Sequence, residues 1–328
     1  MFGKPRLAML TLFILCASVW MPAHAQPYPN RPIKIVLGFG AGGTADAIAR
    51  FYAQKLHGAL NNPVITENKP GAGQVIAIKT LMSAPPDGYT LFMGTGSAFG
   101  QGPALRKDLP YDPLKDFTII GLMATNAGVL VMSPAQSFRT IRELVNYSQA
   151  NPNKLNYGSS GLGAASHLQV EYLISLTGLK ITHIPYKSDS EIMRELIAGS
   201  VQLGMSPLQG AMSNISAGRL RALSVTGSRR QPALPDVPSL AESDFPGIEG
   251  VDPYSFYGLV GPVGLPPAIV TALNDAINRV SRMPDVVTFM QDKLYSQPAT
   301  GSPAAFRAYI ENDLAKWRSL AKVIKLQE

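Results

Sequence analysis

The stretch Arg31-Pro-Ile-Lys-Ile-Val-Leu-Gly-Phe-Gly-Ala-Gly-Gly-Thr-Ala-Asp-Ala-Ile-Ala-Arg50 decides the fold. Residues 33–37 read as a short buried strand, and four of the next six residues are glycine. Ala45, Ile48, Ala49, Tyr52 and Leu56 then recur at the spacing of one helix face. Strand, glycine turn and helix form the opening unit of an α/β protein. The turn also sets backbone N–H groups at a helix N-terminus, where an anion is stabilised. Gly38, Gly40 and Gly43 spell GxGxxG, and Glu67 stands near the offset of a ribose-binding acid, so a dinucleotide is one reading of the same residues.

Similar units follow. Residues 63–68 read as a second strand, followed by the turn Lys69-Pro-Gly-Ala-Gly73 and a helix through Met82. Pro85-Pro-Asp-Gly88 is a turn, residues 89–93 a third strand, and residues 117–132 a longer extended stretch. Thr140 with Glu143, and Ser188 with Glu191, have capping-box spacing. A strand end falls at Asn156-Tyr-Gly158, with further strands at 181–185, 201–205 and 221–225. Residues 255–260 read as a strand returning towards the first half. Two helices are expected to close the chain. One lies near 268–282, and the other starts at Ser302-Pro303 with Phe306, Ile310, Leu314 and Trp317 on one face. This pattern predicts an α/β fold of two lobes, residues 26–126 with 253–328 and residues 127–252. Each lobe is expected to hold a mixed, mostly parallel sheet, with a hinged cleft between them.

Residues 1–25 have the parts of an export leader: Lys4 and Arg6, an apolar run from Leu7 to Trp20, and Ala23-His24-Ala25. The run is shorter than the roughly 18–20 apolar residues of a spanning helix. Cleavage after Ala25 and a periplasmic location are therefore expected. Cleavage removes Cys16, the single cysteine, and lowers the formal charge from +7 to +5. A chain of about 300 residues without disulfides is then held by its own core. The scattered positive charge fits small anions and argues against a nucleic-acid partner.

The same composition narrows the chemistry. His57, His167 and His183 remain, with no HxxxH or HExxH spacing, so neither a metal nor a cofactor is expected. Gly158-Ser-Ser-Gly161 lacks the GxSxG pattern of a nucleophile elbow. A pair of Ser159 or Ser160 with His167 is the catalytic alternative, but a capping role for these groups is preferred and no enzyme is expected. An exported chain argues against the dinucleotide. What remains is a pair of small-residue loops, 39–44 and 159–166, each at a helix start and each rich in backbone N–H groups. Facing one another across a cleft, they suit a carboxylate.

At these residues the chain resembles the Bug/TctC family, the periplasmic solute-binding proteins of tripartite tricarboxylate transport systems. The blocks that match include Gly42-Gly43 with Asp46, Glu67-Asn-Lys-Pro-Gly-Ala-Gly73, Pro86-Asp-Gly-Tyr-Thr-Leu91 and Leu109-Pro-Tyr-Asp-Pro-Leu-Lys-Asp-Phe117. Leu155-Asn-Tyr-Gly-Ser-Ser-Gly161 through His167, His183-Ile-Pro-Tyr-Lys187 and Pro232-Ala-Leu-Pro-Asp-Val-Pro238 continue the match.

The resemblance implies a Venus-flytrap fold closing on a small organic acid, an aliphatic dicarboxylate or an aromatic carboxylate such as terephthalate. It implies delivery to the membrane permease subunits by a monomeric protein. The alternative is a periplasmic sensor that presents its liganded form to a membrane signalling receptor. Carried onto this chain, the ligand set is Phe39, Ala41, Gly42, Thr44 and Asp46, with Thr95 and Ser97 after the third strand. Ser159, Ser160, Ala164, Ser166, Tyr186 and Ser206 complete it from the second lobe. Asp46 is read as a loop organiser, since a carboxylate repels a carboxylate. Where the family often has prolines in its first loop this chain has Gly38 and Ala41, which implies a looser and wider pocket. Ser188 replaces a common glycine, and Gln202 and Met205-Ser206-Pro207 stand where acidic residues are usual.

Overall fold

The computed structural model describes residues 28–186, 188–248 and 254–322, and the body set out here runs from Arg31. The leader with its cleavage point, Lys187 and the 252/253 lobe boundary lie outside the described residues. The chain forms β1 (Ile33–Leu37), α1 (Thr44–Leu60), β2 (Val64–Asn68), α2 (Val75–Met82) and β3 (Thr90–Thr95). A single turn, α3 (Gly102–Leu105), precedes β4 (Phe117–Asn126) and β5 (Gly128–Met132). Next come α4 (Ile141–Ala150), β6 (Leu155–Ser159), α5 (Ala165–Thr177), β7 (Ile181–Pro185), α6 (Asp189–Ala198), β8 (Leu203–Pro207), α7 (Leu208–Ser216) and β9 (Arg221–Val225). The chain closes with β10 (Ser255–Pro262), α8 (Pro267–Ser281), α9 (Pro284–Leu294), β11 (Ser296–Pro298) and α10 (Pro303–Ala321).

These strands build two sheets, ordered β11-β4-β10-β3-β1-β2 and β7-β6-β8-β5-β9. The extended stretch 117–132 is two strands: β4 in the first sheet and β5 in the second, joined through Ala127. Both sheets are mixed, as expected, but they are not mostly parallel. In the first, β1 pairs in parallel with β2 and β3, while β10 with β3, β10 with β4, and β11 with β4 are antiparallel. In the second, β6 is parallel to β7 and β8, while β5 is antiparallel to β8 and β9. The crossing causes this. β4 runs towards the gap between the sheets and β5 continues away from it, so β5 opposes β8, which ends at the gap. β10 re-enters between β3 and β4 in the reverse sense.

Helix α1 shows why the sequence pattern was readable. Ala45, Ile48, Ala49, Tyr52 and Leu56 are all buried. The Tyr52 hydroxyl donates to the Met123 carbonyl at 2.7 Å and lies 2.8 Å from Ser281 Oγ, tying α1 to β4 and α8. Thr140 caps α4 by accepting from Glu143 N at 3.1 Å, although the Glu143 carboxylate reaches back to Arg139 N instead of the cap residue. Ser188 caps α6 and Ser302 caps α10 in the same manner. Helix α9 is an addition to the two closing helices expected.

The terminal helix serves both halves. Phe306, Ile310 and Leu314 enter the first-sheet core with Phe92, Phe99, Phe117 and Phe256. Burying one such ring stabilises by roughly 1.5–3 kcal/mol. Gly258 of β10 makes room, since a Cβ there would lie 1.9 Å from Phe306 Cζ. One turn further on, Trp317 and Leu320 pack with Leu168 of α5, in the second half.

Candidate functional site

The site forms where β1 and β3 of the first sheet and β6 and β8 of the second reach their C-terminal ends, the usual ligand crevice of open α/β sheets. The first loop follows β1. Gly38 is pressed against Gln74, whose Cβ would lie 2.5 Å from a Cβ at Gly38, and Gly42 has φ +88°. Both positions therefore need glycine. Asp46, buried in the first turn of α1, braces the loop from behind. It accepts from Gly42 N at 3.0 Å, Arg50 Nε at 2.9 Å and Asn68 Nδ2 at 2.9 Å. Asn68 Nδ2 also donates to the Phe39 carbonyl at 3.1 Å. The Arg50 hydrogen bond above all holds the Asp46 carboxyl down at about 2. Glu67, the candidate ribose acid, is paired with Lys34 and Lys69.

In the second loop the amide groups are less available than the glycine content implied. Ser160 N donates to Ser166 Oγ at 3.0 Å, Gly161 N to Ser159 Oγ at 3.2 Å and Gly163 N to His167 Nδ1 at 3.2 Å. Ala164 N donates to the Gly161 carbonyl at 3.2 Å. The groups without an intrahelical acceptor are the first-turn amides of α5, at Ala165, Ser166 and His167. The fully buried Ser159 pairs with His183, not His167, with Oγ 2.6 Å from Nε2.

Two of the cavities between the halves adjoin these loops. The larger, about 420 Å³, is lined by Ser97, Gln101 and Arg106 on one side and by Gly163, Ala164 and Ala165 on the other. Arg106 clamps Asp108 through Nε (3.1 Å) and Nη2 (2.7 Å). Its Nη1 is turned towards Gly73, which lines the same cavity. The smaller, about 280 Å³, sets Thr44 against Asp189, Ser190, Ser206 and Gln209. There Thr44 donates its hydroxyl to Gln209 Oε1 across the gap.

The expected ligand residues are thus distributed. Ser97 and Ala164 line the larger cavity, and Thr44 and Ser206 the smaller. Asp46, Ser159, Ser160 and Ser166 make the internal loop bonds described above, and Thr95 Oγ1 accepts from Gln74 Nε2 at 2.8 Å. Phe39, Ala41, Gly42 and Tyr186 line neither cavity. Tyr186 packs against the core cluster that holds Ile192 and Leu196.

Arg106 and Gln209 went unread in the sequence. Arg106 opens Arg-Lys-Asp, which reads as a solvated turn. Gln209 was discoverable, because Leu208, Ala211, Met212 and Ile215 follow Ser206-Pro207 at helical spacing. Among the described residues, no cluster of three or more His, Cys, Asp or Glu could hold a metal ion. No described helix is long and apolar enough to cross a membrane.

An arrangement of helix-start amides facing an arginine across a cavity can grip an elongated anion. Comparison with known proteins points the same way. Residues 48–326 match the family model described as the tripartite tricarboxylate transporter family receptor. A UPF0065 protein from the gbd 5' region of Cupriavidus necator is 40% identical over 269 residues, covering 81% of this chain and 80% of that protein. An R. palustris protein solved with adipate superposes with a TM-score of 0.74 at 30% identity, over 90% of this chain and 97% of that one. MatC from Rhodopseudomonas palustris with bound malate gives 0.71 at 27% identity, over 90% and 100%.

Proposed function

Because the chain belongs to the tripartite tricarboxylate transporter receptor family, we propose that it is a periplasmic solute-binding protein. It takes a small organic acid into the cleft between its halves and delivers it to membrane permease subunits. One observation carries the reading: the larger cavity has the start of α5 at one wall and Arg106 at the other. The helix dipole and the first-turn amides favour an anion at one end, and a guanidinium favours a carboxylate at the other. That two-ended polarity supports a diacid, either a flexible one such as adipate or a rigid aromatic one such as terephthalate. The change of sheet at Ala127 supports the lobe boundary expected between residues 126 and 127. Thr44, Ser97, Ala164 and Ser206 are the ligand-facing members of the expected set, and Arg106 is added to them.

Thermal shift and calorimetry with adipate, malate, terephthalate, hexanoate and NAD test this. A diacid at one hundred times its Kd adds about 2.7 kcal/mol and raises Tm by a few degrees. Hexanoate, with one carboxylate, shifts it less, and the acids are recovered unchanged. Stabilisation by NAD alone, or turnover of a bound acid, overturns the proposal.

A further inference from the structure

Three amides of the turn 159–163, at Ser160, Gly161 and Gly163, donate to a hydroxyl or an imidazole, and two imidazoles touch behind it. His167 Nδ1 accepts from Gly163 N at 3.2 Å, which requires a bare Nδ1 and leaves the ring proton on Nε2. Nε2 faces Glu171 Oε1 at 3.9 Å. That same carboxylate oxygen accepts from the Tyr157 hydroxyl at 2.5 Å. His183 Nε2 holds Ser159 Oγ at 2.6 Å, and Ser159 Oγ in turn receives Gly161 N. Tyr157, His183 and His167 stack in series, with ring centroids 4.8 Å and 4.3 Å apart. His167 is only 3% exposed.

We propose that His167 and His183 are positioning residues that hold this loop in the shape that turns the first-turn amides of α5 to the ligand. Carboxylate affinity therefore falls when the pair takes up a proton. This rests on the carboxylate-binding reading above. Gly163, Ala164 and Ala165 form one wall of the larger cavity, so the turn that His167 fixes is the turn the ligand meets. A proton on Nδ1 sets one donor against another at Gly163 and releases that amide. Tyr157 of β6 and Glu171 of α5 are the titratable groups facing the pair, and one carboxylate cannot offset two imidazolium rings 4.3 Å apart. Burial favours the neutral rings, pushing His183 down to about 4 and lowering His167. The effect therefore sets in below the ordinary histidine range.

The test measures adipate affinity by calorimetry from pH 7.5 to 4.5 for the intact protein, His167→Asn, His183→Gln and His167→Ala. Asn Oδ1 supplies the acceptor that Nδ1 provides and does not titrate, and adipate's own protonation cancels between variants. His167→Asn should bind within about twofold of the parent at pH 7.5 and several-fold more tightly at pH 4.5. His183→Gln should also bind within about twofold at pH 7.5 and weaken less than the parent at pH 4.5. His167→Ala should bind roughly 3- to 10-fold more weakly even at pH 7.5, the loss of one hydrogen bond.

Without ligand, the Gly163 amide resonance should move with the titration of His167. If adipate binds but parent and His167→Asn weaken in parallel with pH, the positioning role is wrong and the carboxylate reading stands. If no diacid binds while Gly163 still follows His167, the carboxylate reading fails and the loop coupling stands. A Gly163 amide indifferent to His167 overturns the inference outright.

Discussion

Thr44, the first residue of α1, donates its hydroxyl to Oε1 of Gln209, in the first turn of α7, and so joins the two halves across the cleft. The bond forms beside Ser206 and can exist only while the halves are close. Such a partly exposed bond contributes about 0.5–1.5 kcal/mol. Gln209→Ala should therefore shift the ligand-free protein towards open forms and weaken acid binding by roughly 2- to 5-fold, with little change in Tm. Small-angle scattering should record a larger radius of gyration, and Thr44→Ser should behave as the parent. Unchanged scattering and affinity would remove this bond from any account of closure.

Leu168 and Trp317 give the halves a second contact, away from the crossing strands. Leu168 is fully buried against Trp317, whose ring also lies 6.2 Å from that of Tyr172. Leu168→Ala should cost about 2–4 kcal/mol, as a cavity opens beside an indole that cannot follow. The chain's other tryptophan, Trp20, lies in the expected leader. In protein expressed from Gln26, tryptophan fluorescence therefore comes from Trp317 alone. The variant's emission should move to the red, and its urea midpoint should fall.

The distribution of these contacts explains what the sequence could disclose. Periodicity reported α1 faithfully because its buried face is continuous, and the caps at Thr140, Ser188 and Ser302 are local chemistry. Strand direction is not local: nothing in residues 117–132 says that Ala127 marks a change of sheet, or that β10 will enter between β3 and β4. Helix α9 was lost because Pro284 starts it only three residues after Ser281 ends α8, so the two read as one helical tail with a breaker. At the site, glycine content announced the loops but overstated their free amides. Those amides donate to the side chains of Ser159, Ser166 and His167, and Ser159 is itself paired with His183, 24 residues away, a pairing that leaves no periodic trace.

Gly258 offers a sharper test of packing. Its missing Cβ is replaced in space by the Phe306 ring, which sits against a cluster of four other phenylalanines. Gly258→Ala forces that ring, and the α10 backbone behind it, away from the first sheet. A loss of about 1–3 kcal/mol or more is expected from overpacking in urea unfolding. Pairing the change with Phe306→Leu should recover part of the loss, and a double-mutant cycle should show a favourable coupling between the two sites. Additive losses would mean that the ring does not rest on this glycine.

Asp46 should set the acid limit of the first loop. Its carboxyl titrates at about 2 in the folded chain, chiefly through the Arg50 hydrogen bond, against an ordinary value of 3.8. A folded value below the unfolded one means that the unfolded chain binds more protons between them. The stabilisation is therefore complete above about pH 4 and disappears as pH falls towards 2. Arg50 is half-exposed, which screens the pair and reduces the expected contribution to roughly 1–2 kcal/mol. Asp46→Asn should lose that amount at pH 6 in urea titrations, and the difference from the parent should shrink to near zero at pH 2. The same variant should weaken acid binding at pH 7, because the Gly42 amide then faces a poorer acceptor and the loop before α1 loosens. A pH-independent difference would place the effect of Asp46 in its shape and not in its charge.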